Sequence, residues 1–202
     1  MQPSFTNATA YLSELKRALE LLNAQEIENA VRLVKTAWEQ GRQIITLGNG
    51  GSALTALHYI TDWNKSLFLA TGKPFRGRTL VDNLGLLTAY ANDVSYADIF
   101  VEQLKNILQT GDLVIAISGS GNSENVIRAV DYANEQGAVV LGVCGYSGGR
   151  LKDKSPHVLW APIDDMQLSE DMHCIFGHII MRVLMDTARQ GATVQATTGR
   201  GC

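Results

Sequence analysis

Residues 43–54, QIITLGNGGSAL, decide the fold: an apolar run over 43–47 breaks into the loop Gly48-Asn49-Gly50-Gly51-Ser52, and a helical pattern over 53–67 follows at once. The run is β-branched and does not alternate, as in a strand buried on both faces of a parallel sheet. Glycines in the loop let backbone N–H groups approach an anion, and the helix behind them presents its positive end. The segment predicts a βα unit with an anion site at the strand's carboxyl end.

The same grammar continues outward. Further strands are expected at 78–81, 113–117, 138–143 and 157–161, with helical patterns at 84–92, 98–109, 123–136 and 167–189. Repeated βα alternation argues for a three-layer αβα sandwich on a five-stranded parallel sheet, flavodoxin-like, with right-handed crossovers. Two helices precede the first strand. Tyr11, Leu15, Ala18 and Leu22 recur at helical spacing in one; Ile27, Val31, Val34 and Trp38 form the stripe of the other, opened by a capping box of Asn23 and Glu26 and stopped by Gly41. With no composition shift marking a linker, residues 1–189 are read as one domain, and the aperiodic 190–202 as a flexible tail.

Composition removes several function classes. The 202 residues carry 17 basic and 20 acidic side chains, net charge −3, so bulk electrostatic binding of nucleic acid is not expected. Three separated cysteines, Cys144, Cys174 and Cys202, form no CxxC pair and suggest neither a disulfide framework nor a zinc knuckle. A reducing, cytoplasmic setting is expected. Polar residues throughout the first 22 positions and the lack of any long apolar run give no signal peptide or membrane span.

Of the 19 glycines, many gather in three clusters: GNGGS at 48–52, SGSGN at 118–122 and GYSGG at 145–149. The first two fall at strand ends, where ligands bind in open α/β sheets. Ser118, Ser120 and Ser123 add hydroxyl donors before another helix, as a phosphate monoester with three oxygens requires. GNGGSA also satisfies the dinucleotide pattern GxGxxA, but Asp82 lies well past the ~20-residue spacing of the ribose-binding acid, and a dinucleotide leaves the second loop unexplained.

GNGGS, ANDVSYADIF at 91–100, ISGSGNSENVI at 117–127, and the late His173 and His178 together resemble the sugar isomerase (SIS) domain, and within it the phosphoheptose isomerase subgroup. The resemblance covers residues 10–188. It implies an aldose–ketose isomerase acting through an enediol, sedoheptulose 7-phosphate to D-glycero-D-manno-heptose 7-phosphate, in the supply of lipopolysaccharide or capsule heptose. It implies phosphate binding by Asn49, Gly50, Gly51, Ser52, Ser118, Gly119, Ser120 and Ser123, with Asn49 and Asp93 near sugar hydroxyls. His173 matches the catalytic histidine, and Asp62 stands where the family has its catalytic glutamate. Gly119 replaces a threonine. The family's homotetramer, with active sites at subunit interfaces, is expected too, and no nucleotide cofactor.

Moving a proton between adjacent carbons needs a base near both and a donor for their oxygens, roles suited to carboxylate and imidazole. His58 and Asp62 are four apart on one helix and Glu170 and His173 three apart on another, so each pair shares a face. The set His58, Asp62, Glu170 and His173 matches the family's metal positions, with Glu170 in place of glutamine, and suits zinc, one ion per subunit. Asp62, with Glu170 as a substitute, is then the base, and His173 the acid or base. His178, five residues on, is assigned a packing role, as is Cys174; Lys65 is a candidate for the phosphate or a carboxylate. Leu151–Lys154 and Trp160 read as structural. The alternative is a non-catalytic SIS protein of the DnaA initiator-associating type, a tetrameric protein-binding factor that also lacks the glutamate.

Overall fold

The apolar runs at 44–48, 113–118 and 139–144 form the central strands because they are buried on both faces, whereas the two edge strands are shorter and only partly buried. In a computed structural model describing residues 5–198, with side chains described over 5–189, the strands are β1 (Ile44–Gly48), β2 (Gly77–Thr79), β3 (Leu113–Ser118), β4 (Val139–Cys144) and β5 (His157–Trp160). They pair in parallel in the order β2-β1-β3-β4-β5. The order reverses between β1 and β3, so the switch point lies at the two glycine loops that follow those strands.

Helices α1 (Ala8–Glu20), α2 (Ala24–Glu39), α3 (Gly50–Thr71) and α8 (Met166–Thr198) cover one face. Ile44, Ile115, Leu141 and Leu159 point into that core with Trp38, Trp63 and Phe176. The other face is closed by α4 (Leu84–Asp93), α5 (Ile99–Ile107), α6 (Glu124–Glu135) and α7 (Gly149–Lys154), over Ile45, Leu47, Val114 and Val140.

Asn23 caps α2 by accepting from the backbone N–H of Gln25, but Glu26 does not complete the expected box. Its carboxylate accepts from the backbone N–H of Trp160 instead and ties α2 to β5. α8 continues to Thr198, past position 189 where the sequence reading ended the domain; residues 199–202 lie outside the described ones. α7, where no helix was expected, starts beyond Gly148, whose φ of +91° places it in the left-handed region. No helix among the described residues is long and apolar enough to cross a membrane.

Candidate active site

Gly48 ends β1 beside Ile117 of β3, so the two loops leave the sheet side by side. They enclose a cavity of about 200 Å³ lined by Asn49, Ser52, Ser118, Gly119, Ser120 and Ser123, with Met166 and Glu170 of α8 closing it. Both α3 and α6 aim their N-termini here. Asn7, Asn23 and Asn83 each cap their own helix with the side-chain oxygen. Asn49 and Ser123 occupy the same position on α3 and α6 and make no such bond. The N-cap side chains of these two helices are therefore not spent on their own first-turn N–H groups, which suits an anion site.

Glycines set the shape. A Cβ on Gly51 would collide with the Glu170 carboxylate, so the bare residue 51 leaves room for that side chain to lie against the start of α3. A side chain at Gly119 would meet Met166 Sδ at 2.6 Å: Met166 fills the space that a threonine there would need. The third cluster, GYSGG, is a buttress rather than a third anion loop. Gly121 packs against the Gly148 carbonyl, and the backbone N–H of Leu151 donates to the Gly121 carbonyl at 2.9 Å.

From this cavity a polar seam runs outward between α3 and α8. Glu170 faces Gly51, Cys174 Sγ lies 3.7 Å from Thr55 Oγ1, and His178 meets His58. At its outer end three donor atoms converge: His58 Nε2 is 2.9 Å from His178 Nε2 and 3.4 Å from Asp62 Oδ2, which is 3.8 Å from His178 Nε2. A tetrahedral ion with donors at ~2.0–2.1 Å holds them roughly 3.3–3.5 Å apart, so the triangle fits a first-row divalent metal. The three side chains are partly solvent-exposed, at 45%, 29% and 52% for His58, Asp62 and His178.

This corrects the expected set. His173 is fully buried, neither ring nitrogen makes a well-formed hydrogen bond, and its ring stacks on Phe176. Burial, partly offset by the nearby Cys144 backbone, holds its pKa down to about 4. It belongs to the core, whereas His178, assigned to packing, joins His58 and Asp62. Glu170 lies at the cavity, outside the triangle. Cys174 lines the seam instead of the core, half-buried. Asp93 is exposed at the end of α4, its carboxylate accepting from Asn92; three residues on, Tyr96 reaches the Asn49 side chain at 3.0 Å. Gly50, at φ +53°, turns the chain into α3. Lys65 stands ~20 Å along the helix axis from Ser52, too far to reach a phosphate held by its own chain.

Residues 8–145 match the family described as SIS domain. This chain belongs to the SIS domain family. It is 34% identical over 178 residues to a probable phosphoheptose isomerase of Thermoplasma acidophilum, covering 88% of this chain and 97% of that protein. It is 31% identical to the phosphoheptose isomerase of Aquifex aeolicus, over 85% and 90% of the two chains. The structure of phosphoheptose isomerase from Neisseria gonorrhoeae superposes with a TM-score of 0.79 at 27% identity, over 87% of this chain and 95% of that one. Within the SIS domain family, these relatives do not favour the initiator-associating alternative, and Asp62 keeps a carboxylate beside the two imidazoles.

Proposed function

We propose that this protein is an aldose–ketose isomerase of a phosphorylated sugar, with sedoheptulose 7-phosphate and D-glycero-D-manno-heptose 7-phosphate as its substrate pair. The observation that carries the reading is the spacing along α3. His58 lies six residues beyond Ser52, ~9 Å along the axis. An extended chain advances ~1.2 Å per bond, so the eight bonds from phosphorus to C1 of a seven-carbon 7-phosphate span ~10 Å. A heptose phosphate anchored in the serine cradle brings C1 and C2 to His58, Asp62 and His178.

The phosphate is gripped by the serine hydroxyls and the N-termini of α3 and α6, which supply many donors without a fixed positive charge. Glu170, at the cavity end of the seam, accepts from a sugar hydroxyl and fixes the chain's rotation. Asp62 takes the proton from the carbon beside the carbonyl and returns it to the neighbouring carbon; Oδ2 faces the imidazoles, which leaves Oδ1 for this transfer. His178 gives a proton to the carbonyl oxygen and receives one from the adjacent hydroxyl, so charge does not accumulate on the enediol.

His58, Asp62 and His178 also suit zinc or a similar divalent ion, one per subunit, which would supply a Lewis acid for the carbonyl oxygen in place of the His178 proton. The seam is open in the single chain, and α3 carries Leu54, Leu57, Phe68 and Leu69 exposed along its length. A homotetramer that covers this face would also exclude water from the site. Incubating the pure protein with sedoheptulose 7-phosphate, before and after chelation and re-addition of zinc, tests the reading. Formation of the heptose 7-phosphate is expected; no product with any divalent metal present would refute it.

A further inference from the structure

The diversion of Asn49 from its own helix has a structural cause. Its Oδ1 accepts from Tyr96 Oη at 3.0 Å and from Asn125 Nδ2 at 2.9 Å, and its Nδ2 donates to Asn125 Oδ1 at 2.8 Å. An amide oxygen has two lone pairs and an amide nitrogen two protons. Both acceptor positions of Asn49 are filled, and one donor position is used. What remains is a single N–H at the cavity wall.

The two partners are themselves fixed. Asn125 is 2% exposed, and its Oδ1 also accepts from the backbone N–H of Val126 at 2.9 Å. Tyr96 opens the 3₁₀ turn Tyr96–Asp98, which is held against α6: Arg128 donates to Asp98 at 2.8 Å, and Ser95 donates to the same carboxylate. The Ser95 hydrogen bond, followed by Arg128, holds the Asp98 carboxyl below its ordinary pKa. Three separate elements thus meet on one side-chain amide.

We infer that Asn125 and Tyr96 are positioning residues that lock the Asn49 amide, so that it presents one N–H donor and no acceptor to a ligand oxygen. The inference rests on the phosphosugar reading of the cavity and adds two residues to it. An unlocked amide can rotate by 180° and set its oxygen against the phosphate or hydroxyl oxygens of the substrate. The lock removes that unproductive half of the orientations before binding, and it discriminates against ligands that offer only a donor at this point.

A double-mutant cycle on the full-length protein separates positioning from general support. Tyr96→Phe, a change at a side chain that is 61% exposed, is expected to lower kcat/KM for sedoheptulose 7-phosphate roughly threefold to tenfold. Asn125→Ala is expected to lower it roughly 10–100-fold. In an Asn49→Ala background both changes should leave the residual rate within about twofold, since nothing is left to orient. Equal losses in the two backgrounds, or unchanged kcat/KM in Tyr96→Phe, would overturn the inference.

NMR of the Asn49 side-chain amide reads the lock without turnover. One Nδ2 proton of the wild type should exchange with solvent at least ~10-fold more slowly than in Tyr96→Phe or Asn125→Ala. Fast exchange of both protons in the wild type rejects the lock. A protein that turns over no phosphosugar overturns the functional reading instead, and the amide spectrum then decides the positioning claim.

Discussion

His173 is a neutral imidazole enclosed on all sides, and that enclosure links stability to pH. The folded state holds its pKa at about 4, against about 6.5 for an exposed histidine, so between these values the unfolded chain binds the extra proton. Stability contributed by the neutral ring is complete above pH 6.5 and is lost as pH falls toward 4, by roughly 3 kcal/mol in all. Urea titrations at pH 7 and pH 5 should show a little over half of this fall in the wild type and a smaller one in His173→Leu; an equal slope in both would disprove it. Gly50 and Gly51 make a second pair of residue-scale expectations. Gly51→Ala displaces the end of the flexible Glu170 side chain, so turnover should fall about tenfold with stability nearly unchanged. Gly50→Ala finds open space but keeps φ at +53°, so it should cost about 1 kcal/mol of stability in thermal or urea unfolding, with the larger kinetic defect remaining at Gly51.

At the scale of elements, the parallel seam of α3 and α8 assembles the site. Gly177 lies against the Tyr59 ring, and the Tyr59 hydroxyl and Trp63 indole donate to the carbonyls of His173 and Gly177 on α8. This close approach sets His178 beside His58. Metal content, measured after dialysis against zinc, is accordingly expected to drop in His58→Ala and His178→Ala and to persist in His173→Leu. The three central strands and both glycine loops were legible in the sequence because burial on two faces and glycine before a helix are local signals. The histidine that meets His58 and Asp62 is His178, not the expected His173, although helical periodicity carried the distinction. At 100° per residue Leu168, Met172, Phe176 and Ile180 mark the core side of α8; His173 lies ~80° from their centre, whereas Glu170, Cys174 and His178 fall together on the far side. Tyr96 and Asn125 left no such trace, since their meeting at Asn49 depends on how the 3₁₀ turn and α6 pack.

On the scale of the whole molecule, the near-neutral charge balance suits a cradle built from hydroxyls and helix ends instead of lysines. The apolar surface is less balanced: Leu12 and Leu19 on α1 and Leu21 just beyond it stand exposed, as do the leucines of α3. Light scattering on the eluting protein should give a tetramer, and Leu54→Glu with Leu69→Glu should yield smaller species with reduced turnover. A monomeric wild type of full activity would contradict a site completed between subunits. The central claim, that isomerisation takes place at His58, Asp62 and His178, is tested most directly by the initial rate of His178→Ala on sedoheptulose 7-phosphate beside the wild type. Loss of an acid–base group predicts a kcat lower by about 10²–10⁴-fold; a wild-type rate in that variant would contradict the account.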